Sequence, residues 1–269
     1  MTMTVVTSAQ NTQLKLVRAL RRRRSREEEN AFVVEGEDLV LAGLETGAVA
    51  RMLLVDAERP PELGKTVIDC PIVQVESKLL ADVSELAHPS RVIGIFELPQ
   101  PVDLASALVE DDATGPWLVL DGLADPGNVG TVLRTCAALG AGGVVLLPGT
   151  ADPFSSKAVR ASMGACFRVP MSKLDADGSV ADACASLREV VPGLRIVVLD
   201  ANAAVDLWDA PLDAATLIVV GGEREGISED IRRVADLTAS IPQDPDVESV
   251  NAGVAASLAL YEWRSRASR

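Results

Sequence analysis

The sequence predicts an α/β protein with two domains, a small α/β domain followed by a larger domain built on a parallel sheet. Short apolar runs alternate with helical segments along the chain, which is typical of α/β architectures. From residue 117 onward most of these runs are continuous, as in strands of a parallel sheet that is covered on both faces. The 269 residues suffice for two domains, because one domain usually takes about 100–200 residues.

The first domain is predicted over residues 1–98. Its first helix, over 12–30, has Leu14, Val17 and Leu20 on its apolar side. The elements after it are expected as helices over 38–46 and 78–86 and as strands over 31–36, 52–55, 72–75 and 92–96. A linker is predicted over 99–116, because prolines break the pattern and residues 110–116 are polar; a short helix is expected within it at 104–109.

The second domain is predicted over residues 117–269. Its strands are expected over 117–120, 143–147, 195–199, 217–220 and 238–241. Its helices fall between or after these strands, over 129–139, 156–163, 180–190, 228–234 and 249–264. Ligands of an open α/β sheet bind beyond the carboxyl ends of the strands, so the loops that follow the strands are the first place to look for function.

Composition excludes several kinds of chemistry. The chain has a single histidine, His88, so neither a two-histidine zinc site nor an HExxH helix is available, and no metal site is expected. The four cysteines have no CxxC spacing and are predicted to be free, buried thiols. No segment has the features of a secretory signal or the roughly 18 apolar residues of a membrane span, so we expect a cytoplasmic protein without a membrane partner.

Charge is distributed unevenly along the chain. The net charge is −14, yet residues 15–26 carry seven basic and no acidic side chains, which leaves 18 basic against 39 acidic residues elsewhere. Such a basic segment on an acidic body can direct one face toward a polyanion. The four consecutive arginines Arg21, Arg22, Arg23 and Arg24 would circle a helix rather than line one side, so some of them are expected to be merely solvated.

The first unusual loop covers residues 121–135, which read DGLADPGNVGTVLRT. A strand ends there, a glycine-rich turn follows, and a helix is expected to open near Asn128, which could cap it. Arg134 follows six residues later and could project near the same end. The glycine spacing is neither GxGxxG nor a P-loop, so this is not a common phosphate cradle. The alternative is an ordinary strand-turn-helix unit with a surface arginine.

Two further loops follow later strands. Residues 219–228 read VVGGEREGIS. The tandem glycines are expected to leave the main chain open to a ligand. Glu223 is expected to stay ionised near a helix N-terminus; the alternative is that it simply caps that helix. Residues 241–256 read IPQDPDVESVNAGVAA. In that loop Ser249 is a plausible N-cap, whereas Asn251 is a poor helix former that a ligand contact could justify. The small residues after it allow close packing against another helix or chain.

In this order and spacing, the three loops resemble the signature motifs of the SpoU/TrmH family of RNA 2′-O-ribose methyltransferases, within the SPOUT superfamily. The resemblance covers about residues 117–264 and includes the stretch KAVRASMGA at 157–165. The N-terminal part, with its basic segment and FVVEG at 32–36, resembles the substrate-binding domain that often precedes this catalytic domain. The sequence departs from the common pattern at Gln243, where methionine is usual, at Val250, where leucine is usual, and at Ala252-Gly253, which replaces a Val-Ser-like pair.

The resemblance implies a deep trefoil knot at the C-terminus, a homodimer formed through the methyltransferase domain, S-adenosylmethionine as cofactor and RNA as substrate. Matched position by position, the family's cofactor-binding main chain falls at Leu199, Gly221, Gly222, Ile241 and Val250. Its active-site residues fall at Asn128, Arg134, Glu223, Ser249 and Asn251. We expect RNA to be bound by Arg21, Arg22, Arg23, Arg24 and Arg160.

The predicted activity is transfer of a methyl group to a ribose 2′-hydroxyl, in large-subunit ribosomal RNA rather than transfer RNA. Methyl transfer from a sulfonium needs neither metal nor histidine, which agrees with the composition. Arg134 matches the family's proposed base; because a guanidinium is effectively always charged, we expect it to clamp an RNA phosphate and to stabilise the developing alkoxide. The alternatives are a transfer RNA methyltransferase and a non-catalytic RNA-binding protein of ribosome assembly. A nucleotide-dependent oxidoreductase is disfavoured by the missing glycine fingerprint.

Overall fold

The computed structural model describes residues 5–109, 115–174, 180–213, 215–244 and 246–267. The most polar part of the predicted linker, residues 110–114, lies outside the described residues. Within the described residues, none of the helices combines the length and the apolar character that crossing a membrane requires.

The elements alternate along the chain as predicted. The α-helices of the described residues are α1 (Thr12–Ala19), α2 (Arg23–Glu29), α3 (Glu37–Glu45), α4 (Ser77–Val83), α5 (Leu104–Val109), α6 (Pro126–Leu139), α7 (Ser156–Ser162), α8 (Val180–Val190), α9 (Glu229–Val234) and α10 (Ala252–Ala267). The strands are β1 (Ala31–Glu35), β2 (Ala50–Asp56), β3 (Ile72–Val75), β4 (Val92–Glu97), β5 (Trp117–Asp121), β6 (Gly143–Leu146), β7 (Met171–Lys173), β8 (Arg195–Leu199), β9 (Val205–Asp206), β10 (Thr216–Gly221) and β11 (Leu237–Ser240).

The chain forms two compact units, and each of them takes two stretches of sequence. The first unit consists of Met1–Gln100 and Asp152–Arg168, and the second of Pro101–Ala151 and Val169–Arg269. A segment between β6 and β7, which includes α7, therefore packs with the first hundred residues. Helix α5, which the sequence places in the linker, belongs to the second unit.

The first unit is built on a four-stranded sheet in the order β1-β4-β2-β3, antiparallel except for the parallel pair β2–β3. One face carries a core to which α1 and α4 contribute, and Leu14, Val17 and Leu20 are buried in it, as their spacing predicts. The other side holds all four phenylalanines of the chain in one cluster, with ring centroids 5.0 to 6.3 Å apart: Phe32, Phe96, Phe154 and Phe167. Phe154 and Phe167 belong to the segment Asp152–Arg168, so that segment completes this core.

The prediction of a single helix over residues 12–30 is wrong, because the helical conformation is interrupted between α1 and α2. Arg22 adopts an extended conformation there. The break frees the carbonyl groups of Leu20 and Arg21, and the guanidinium of Arg26 donates to both, at 2.7 and 2.8 Å. Arg26 is 4% exposed, and its Nε donates to Asp152 at 2.9 Å. A buried arginine with a distant counter-charge thus stabilises a bend that local helix propensity does not reveal.

The second unit is built on a seven-stranded sheet in the order β7-β6-β5-β10-β8-β11-β9, in which every neighbouring pair is parallel. This confirms the predicted parallel sheet. The two edge strands, β7 and β9, were not predicted, because they have only three and two residues. Helices α5, α8 and α9 contribute to the core on one face, and α6 and α10 pack against each other and against the sheet. The trefoil knot stays a prediction.

Two helix starts differ from the predictions. Helix α6 is capped by Asp125, whose side chain accepts from the main-chain N–H of Gly127, and not by Asn128. Pro126 occupies the first helical position, where its missing N–H costs nothing. Helix α10 begins at Ala252, three residues later than expected; the Oδ1 of Asn251, and not Ser249, accepts from the N–H of Val254 at 3.2 Å. After both shifts Asn128 lies in the first turn of α6 and Asn251 directly precedes α10.

The four cysteines are free thiols, as predicted. Cys136, Cys166 and Cys184 are buried and Cys70 is half-buried. Burial raises the pKa of the Cys166 thiol to about 11.

Candidate active site

A cleft of about 550 Å³ lies in the second unit, at the carboxyl ends of β8, β10 and β11. These strands are parallel, so the loops that follow them meet at one edge of the sheet. The cleft is lined by residues 199–202, 220–227, 232, 241, 243, 248–252 and 255. Its volume lies in the range of about 300–1,000 Å³ that is usual for small-molecule sites.

Most of the predicted site residues lie in or beside this cleft. The five predicted cofactor-binding residues all line it: Leu199, Gly221, Gly222, Ile241 and Val250. Of the predicted catalytic residues, three line it as well: Glu223, Ser249 and Asn251. Asn128 is connected to Glu223 and Asn251 by hydrogen bonds. The loops over residues 219–228 and 241–256 therefore converge, and the start of α6 joins them.

A chain of hydrogen bonds runs through the three loops. The Nδ2 of Asn128 donates to Oε1 of Glu223, and the Oδ1 of Asn128 accepts from Nδ2 of Asn251 at 3.2 Å. Since the Oδ1 of Asn251 is taken by the N–H of Val254, the amide group of Asn251 can only turn its NH₂ toward Asn128. The order of donors and acceptors is thus fixed from the amino end of α10 to the carboxylate of Glu223.

The tandem glycines after β10 make a tight turn possible. The N–H of Gly226 donates to the carbonyl of Gly222 at 2.9 Å and closes the turn. A Cβ on Gly221 would lie 2.5 Å from the carbonyl group of Gly226, and a Cβ on Gly222 would collide with the carbonyl oxygen of Gly122. These glycines are therefore required where the main chain approaches itself.

The cleft carries more negative than positive charge. The acidic residues that line it are Asp200, Glu223, Glu225 and Glu248, against the two arginines Arg224 and Arg232. The main-chain N–H of Asn202 donates to Asp200 and lowers the pKa of its carboxyl; burial opposes this, and Arg232, at 3.0 Å, adds to the lowering. Asp200 is therefore ionised at neutral pH. The field in the cleft favours a ligand that carries positive charge.

The structure does not bring Arg134 to this cleft. Arg134 lies on α6 and is exposed, it is not among the residues that line the cleft, and its side chain has no partner among the described residues.

The predicted RNA-binding residues lie in the first unit, and most of them have partners there. Arg21 pairs with Glu85 at 3.1 Å, Arg23 with Glu27 at 2.9 Å and Arg24 with Glu28 at 2.7 Å. Arg22 is exposed, and the part of the chain that the structure describes offers its side chain no partner. Glu27 and Glu28 of α2 therefore pair with arginines that lie four residues earlier in the sequence.

Arg160, on α7, is half-buried. Its Nη1 atom is fully buried, and the described residues provide it with no hydrogen-bond partner. A buried guanidinium nitrogen without an acceptor is costly, which sets this atom apart from the paired arginines of the first unit.

Two residues that the sequence did not assign to the site shape its loops. The Nε2 of Gln243 donates to the carbonyls of Val247 and Glu248, at 3.3 and 3.2 Å, and so braces the loop that carries Ser249. The carboxylate of Asp121 accepts from the main-chain N–H of Ser228 at 2.7 Å. The position of Asp121 at the end of a predicted parallel strand was the available signal, whereas the main-chain partners of Gln243 leave no pattern in a sequence.

Comparison with known proteins places the chain in a family. Residues 116–261 match the model of the SpoU rRNA Methylase family, and residues 11–94 match the MRM3-like substrate binding domain. The chain is 31% identical to the 23S rRNA (uridine(2479)-2′-O)-methyltransferase of Streptomyces viridochromogenes, with 89% of this chain and 84% of the relative covered. It is 28% identical to the 23S rRNA (guanosine(2553)-2′-O)-methyltransferase RlmP of Bacillus subtilis (strain 168), with 96% and 98% covered.

Solved structures agree with this placement. The SpoU methyltransferase AviRb from Streptomyces viridochromogenes, in complex with AdoMet, superposes with a TM-score of 0.85 at 28% identity, covering 96% of this chain and 98% of that one. The AdoMet-bound rRNA methyltransferase from Sinorhizobium meliloti superposes with a TM-score of 0.84 at 27% identity, covering 98% of each chain. With its parallel sheet and the three signature loops gathered at one edge, the chain belongs to the SpoU rRNA methylase family.

Proposed function

We propose that this protein transfers a methyl group from S-adenosylmethionine to the 2′-hydroxyl of a ribose in large-subunit ribosomal RNA. The observation that carries the proposal is the hydrogen-bonded chain of Asn128, Glu223 and Asn251 beside the cleft, because it joins all three signature loops of the family. The relatives named as 23S rRNA 2′-O-methyltransferases, which match over most of their length, support the choice of substrate.

The residues of the cleft fit S-adenosylmethionine. The cleft has an adequate volume, and its excess of carboxylates suits a ligand with a sulfonium charge. We assign the cofactor contacts to the main chain at Leu199, Gly221, Gly222, Ile241 and Val250. When bound, the cofactor supplies a methyl group on a positively charged sulfur, which an oxygen nucleophile can attack directly.

The polar residues at the cleft then orient the acceptor. Asn128 and Asn251 hold the carboxylate of Glu223 in one position, and this carboxylate can accept a hydrogen bond from the ribose hydroxyl and take up its proton as the oxygen is methylated. Ser249, exposed in the cleft, can donate to the same ribose. Orienting the ribose hydroxyl at the cleft would lower the barrier, because orientation replaces a bimolecular encounter. Arg134 would clamp the adjacent phosphate and stabilise the alkoxide that forms.

A homodimer through the second unit accounts for the position of Arg134. Three apolar side chains on α10, at intervals of four and three residues, form an exposed stripe on one face: Val254, Leu258 and Tyr261, 46%, 40% and 63% exposed. A second copy that covers this stripe would remove apolar surface from water. Since α6 packs beside α10 and carries Arg134, we propose that Arg134 serves the cleft of the other copy.

The first unit would bind the RNA backbone. Arg22 has no partner among the described residues, and the ion pairs of Arg21, Arg23 and Arg24 are exposed, so a phosphate can replace their carboxylates at little cost. Arg160, which is half-buried on α7, is a further candidate to contact an RNA phosphate. The match of residues 11–94 to a substrate binding domain supports this assignment, and the free thiols are in keeping with the reducing cytoplasm as the place of action.

Mapping the methyl group tests the proposal. The protein is incubated with S-adenosylmethionine labelled on its methyl group and either unmodified large-subunit ribosomal RNA or, in a separate reaction, transfer RNA. The variant Glu223→Ala is the control. We expect label in a dinucleotide that resists alkali, because a methylated 2′-oxygen can no longer attack the neighbouring phosphate. Label on a base, label in transfer RNA alone, or no label at all contradicts the proposal.

A further inference from the structure

One residue binds both ends of the loop that presents Glu223 to the cleft. Asp121 is the last residue of β5 and is 8% exposed. Its main-chain carbonyl accepts from the N–H of Gly222 at 2.9 Å, where the loop begins. Its carboxylate accepts from the N–H of Ser228 at 2.7 Å, where the loop ends. The loop over residues 222–228 therefore starts and finishes on the same residue of a neighbouring strand.

Inside the loop, the bond from the N–H of Gly226 to the carbonyl of Gly222 closes a single turn. Between these two glycines lie Glu223, Arg224 and Glu225, which are exposed and line the cleft. Their positions thus depend on how firmly the ends of the loop are held. The collision that a side chain at Gly222 would make with the carbonyl of Gly122 shows that the two loops already lie in direct contact there.

The carboxylate bond is the stronger of the two and the one a substitution can remove. Ser228 precedes α9, so no carbonyl of that helix is available to its N–H, and its own side chain makes no capping bond. A carboxylate that accepts from a main-chain N–H makes a charge-assisted hydrogen bond, about twice as strong as a neutral one. Because Asp121 is buried, water cannot easily replace it.

We propose that Asp121 is a positioning residue for the methyl-transfer site: it fixes the loop over residues 222–228 in the conformation that binds the cofactor and presents Glu223. This rests on the proposed function, since it assigns that loop to S-adenosylmethionine. Asp121 itself is not among the residues that line the cleft. Its removal acts on cofactor affinity and on the chemical step, and leaves RNA binding by the first unit as it was.

Three variants of the full-length protein test this: Asp121→Ala, Asp121→Asn and, as a matched control, Asp213→Ala. Asp213 lies just before the opposite end of β10, where its carboxylate accepts from Arg195, Ala215 and Thr216, so its loss also removes hydrogen bonds from this sheet. Affinity for S-adenosylhomocysteine is measured by calorimetry, affinity for a ribosomal RNA fragment by filter binding, and stability by the thermal midpoint. Steady-state kinetics separate kcat from KM.

We expect Asp121→Ala to raise the Kd for S-adenosylhomocysteine about tenfold, the effect of losing one charge-assisted hydrogen bond, and to lower kcat. Asp121→Asn retains an oxygen acceptor and should recover most of the affinity, to within about threefold of wild type. Asp213→Ala should lower the thermal midpoint without changing that Kd. The affinity for RNA should be the same in all three variants.

Ser228→Pro provides a second route if Asp121→Ala does not fold. The φ angle of Ser228 is −64°, which proline adopts without strain, so this change removes the N–H and keeps the carboxylate. It should weaken S-adenosylhomocysteine binding as Asp121→Ala does. Folded variants with wild-type affinity overturn the inference, and so does an equal loss in Asp213→Ala. A wild-type protein that does not bind S-adenosylhomocysteine overturns the proposed function, and this inference with it.

Discussion

The side chain of Asn251 donates from Nδ2 to Oδ1 of Asn128 at 3.2 Å, and this bond joins the amino ends of α10 and α6. The same Asn128 donates to Glu223. An amide is the side chain that suits this place, because it must accept on one side and donate on the other. A carboxylate or an apolar group of the same size would interrupt the chain at its middle member.

Replacing Asn128 by aspartate should therefore abolish most activity. Asn128→Asp places a carboxylate against the carboxylate of Glu223, and the repulsion displaces the group that orients the ribose. We expect kcat to fall about 100-fold, the usual size for loss of one positioned polar group in an active site. Thr131→Val, one turn further along α6, is the matched control; among the described residues, the hydroxyl of Thr131 bonds only to the carbonyl of Gly127. Equal rates for Asn128→Asp and wild type would show that the chain has no role in catalysis.

Gln243 stabilises the loop over residues 241–256, and methionine, which is usual at this position in the family, should stabilise it less well. Gln243→Met removes the donor to the carbonyls of Val247 and Glu248, although it restores the common pattern. We expect the Kd for S-adenosylhomocysteine to rise about threefold to tenfold, corresponding to one or two neutral hydrogen bonds at about 1 kcal/mol. Calorimetry measures this directly. An unchanged or tighter Kd would mean that the brace is not needed.

Acidic residues on α2 should weaken RNA binding by occupying the neighbouring arginines. The double variant Glu27→Gln with Glu28→Gln frees Arg23 and Arg24. We expect tighter binding of ribosomal RNA, and a plot of log Kobs against log salt steeper by about 1 to 2, because each new phosphate contact releases counterions. Glu29→Gln removes an acid of the same helix that pairs with no arginine among the described residues, so it controls for net charge. If Glu29→Gln raises the affinity for RNA by as much per removed charge, the gain comes from net charge and not from breaking the ion pairs.

Mixing two inactive variants tests whether Arg134 serves the other copy. Arg134→Ala and Glu223→Ala should each be inactive, yet a mixed dimer would contain one cleft with both groups intact. We expect part of the wild-type rate to return on mixing, and Leu258→Lys, which places a charge in the apolar stripe, to prevent this recovery and to give monomers in sedimentation. No recovery from dimers that exchange subunits would place Arg134 with its own cleft.

The buried ion pair of the first unit should be needed for stability. Asp152→Asn leaves the guanidinium of Arg26, whose side chain is 5% exposed, without its counter-charge. We expect the free energy of unfolding, measured in urea, to fall by about 3 kcal/mol, as for other buried pairs that lose one partner. Asp230→Asn breaks the exposed pair with Arg233, whose side chains are 61% and 70% exposed, and should change it by no more than about 0.5 kcal/mol. Similar values for both would show that Arg26 is not buried as described.

The sequence predicts the sheet and most of the cleft well, because both follow from local patterns. Continuous apolar runs identified five of the seven strands of the second unit, and parallel strands place their following loops at one edge. The loops at Gly221 and Ile241 could therefore be grouped before any coordinates were known. The family resemblance then supplied the cofactor, which no pattern of charge or hydropathy identifies.

What the sequence missed depends on contacts between distant residues. The bend before α2 requires Arg26 to find Asp152, 126 positions away, and nothing in the local pattern announces that pair. Ser249 and Asn251 are both good caps, and only the packing of α10 decides between them. From the sequence, Gly221 and Gly222 are expected to leave the main chain open for a ligand. The structure gives another reason for them, because a side chain at either position would collide with the carbonyl group of Gly226 or Gly122.

Because residues 152–168 belong to the first unit, the protein cannot be divided into its two units by one cut in the sequence. A fragment that ends at residue 100 would lack two of the four rings in the phenylalanine cluster and the counter-charge of Arg26. A fragment that starts at residue 101 would retain those groups with nothing to cover them. No single cleavage of the backbone yields two self-sufficient pieces, so anyone who wants the N-terminal module alone must graft the borrowed segment onto it or permute the chain.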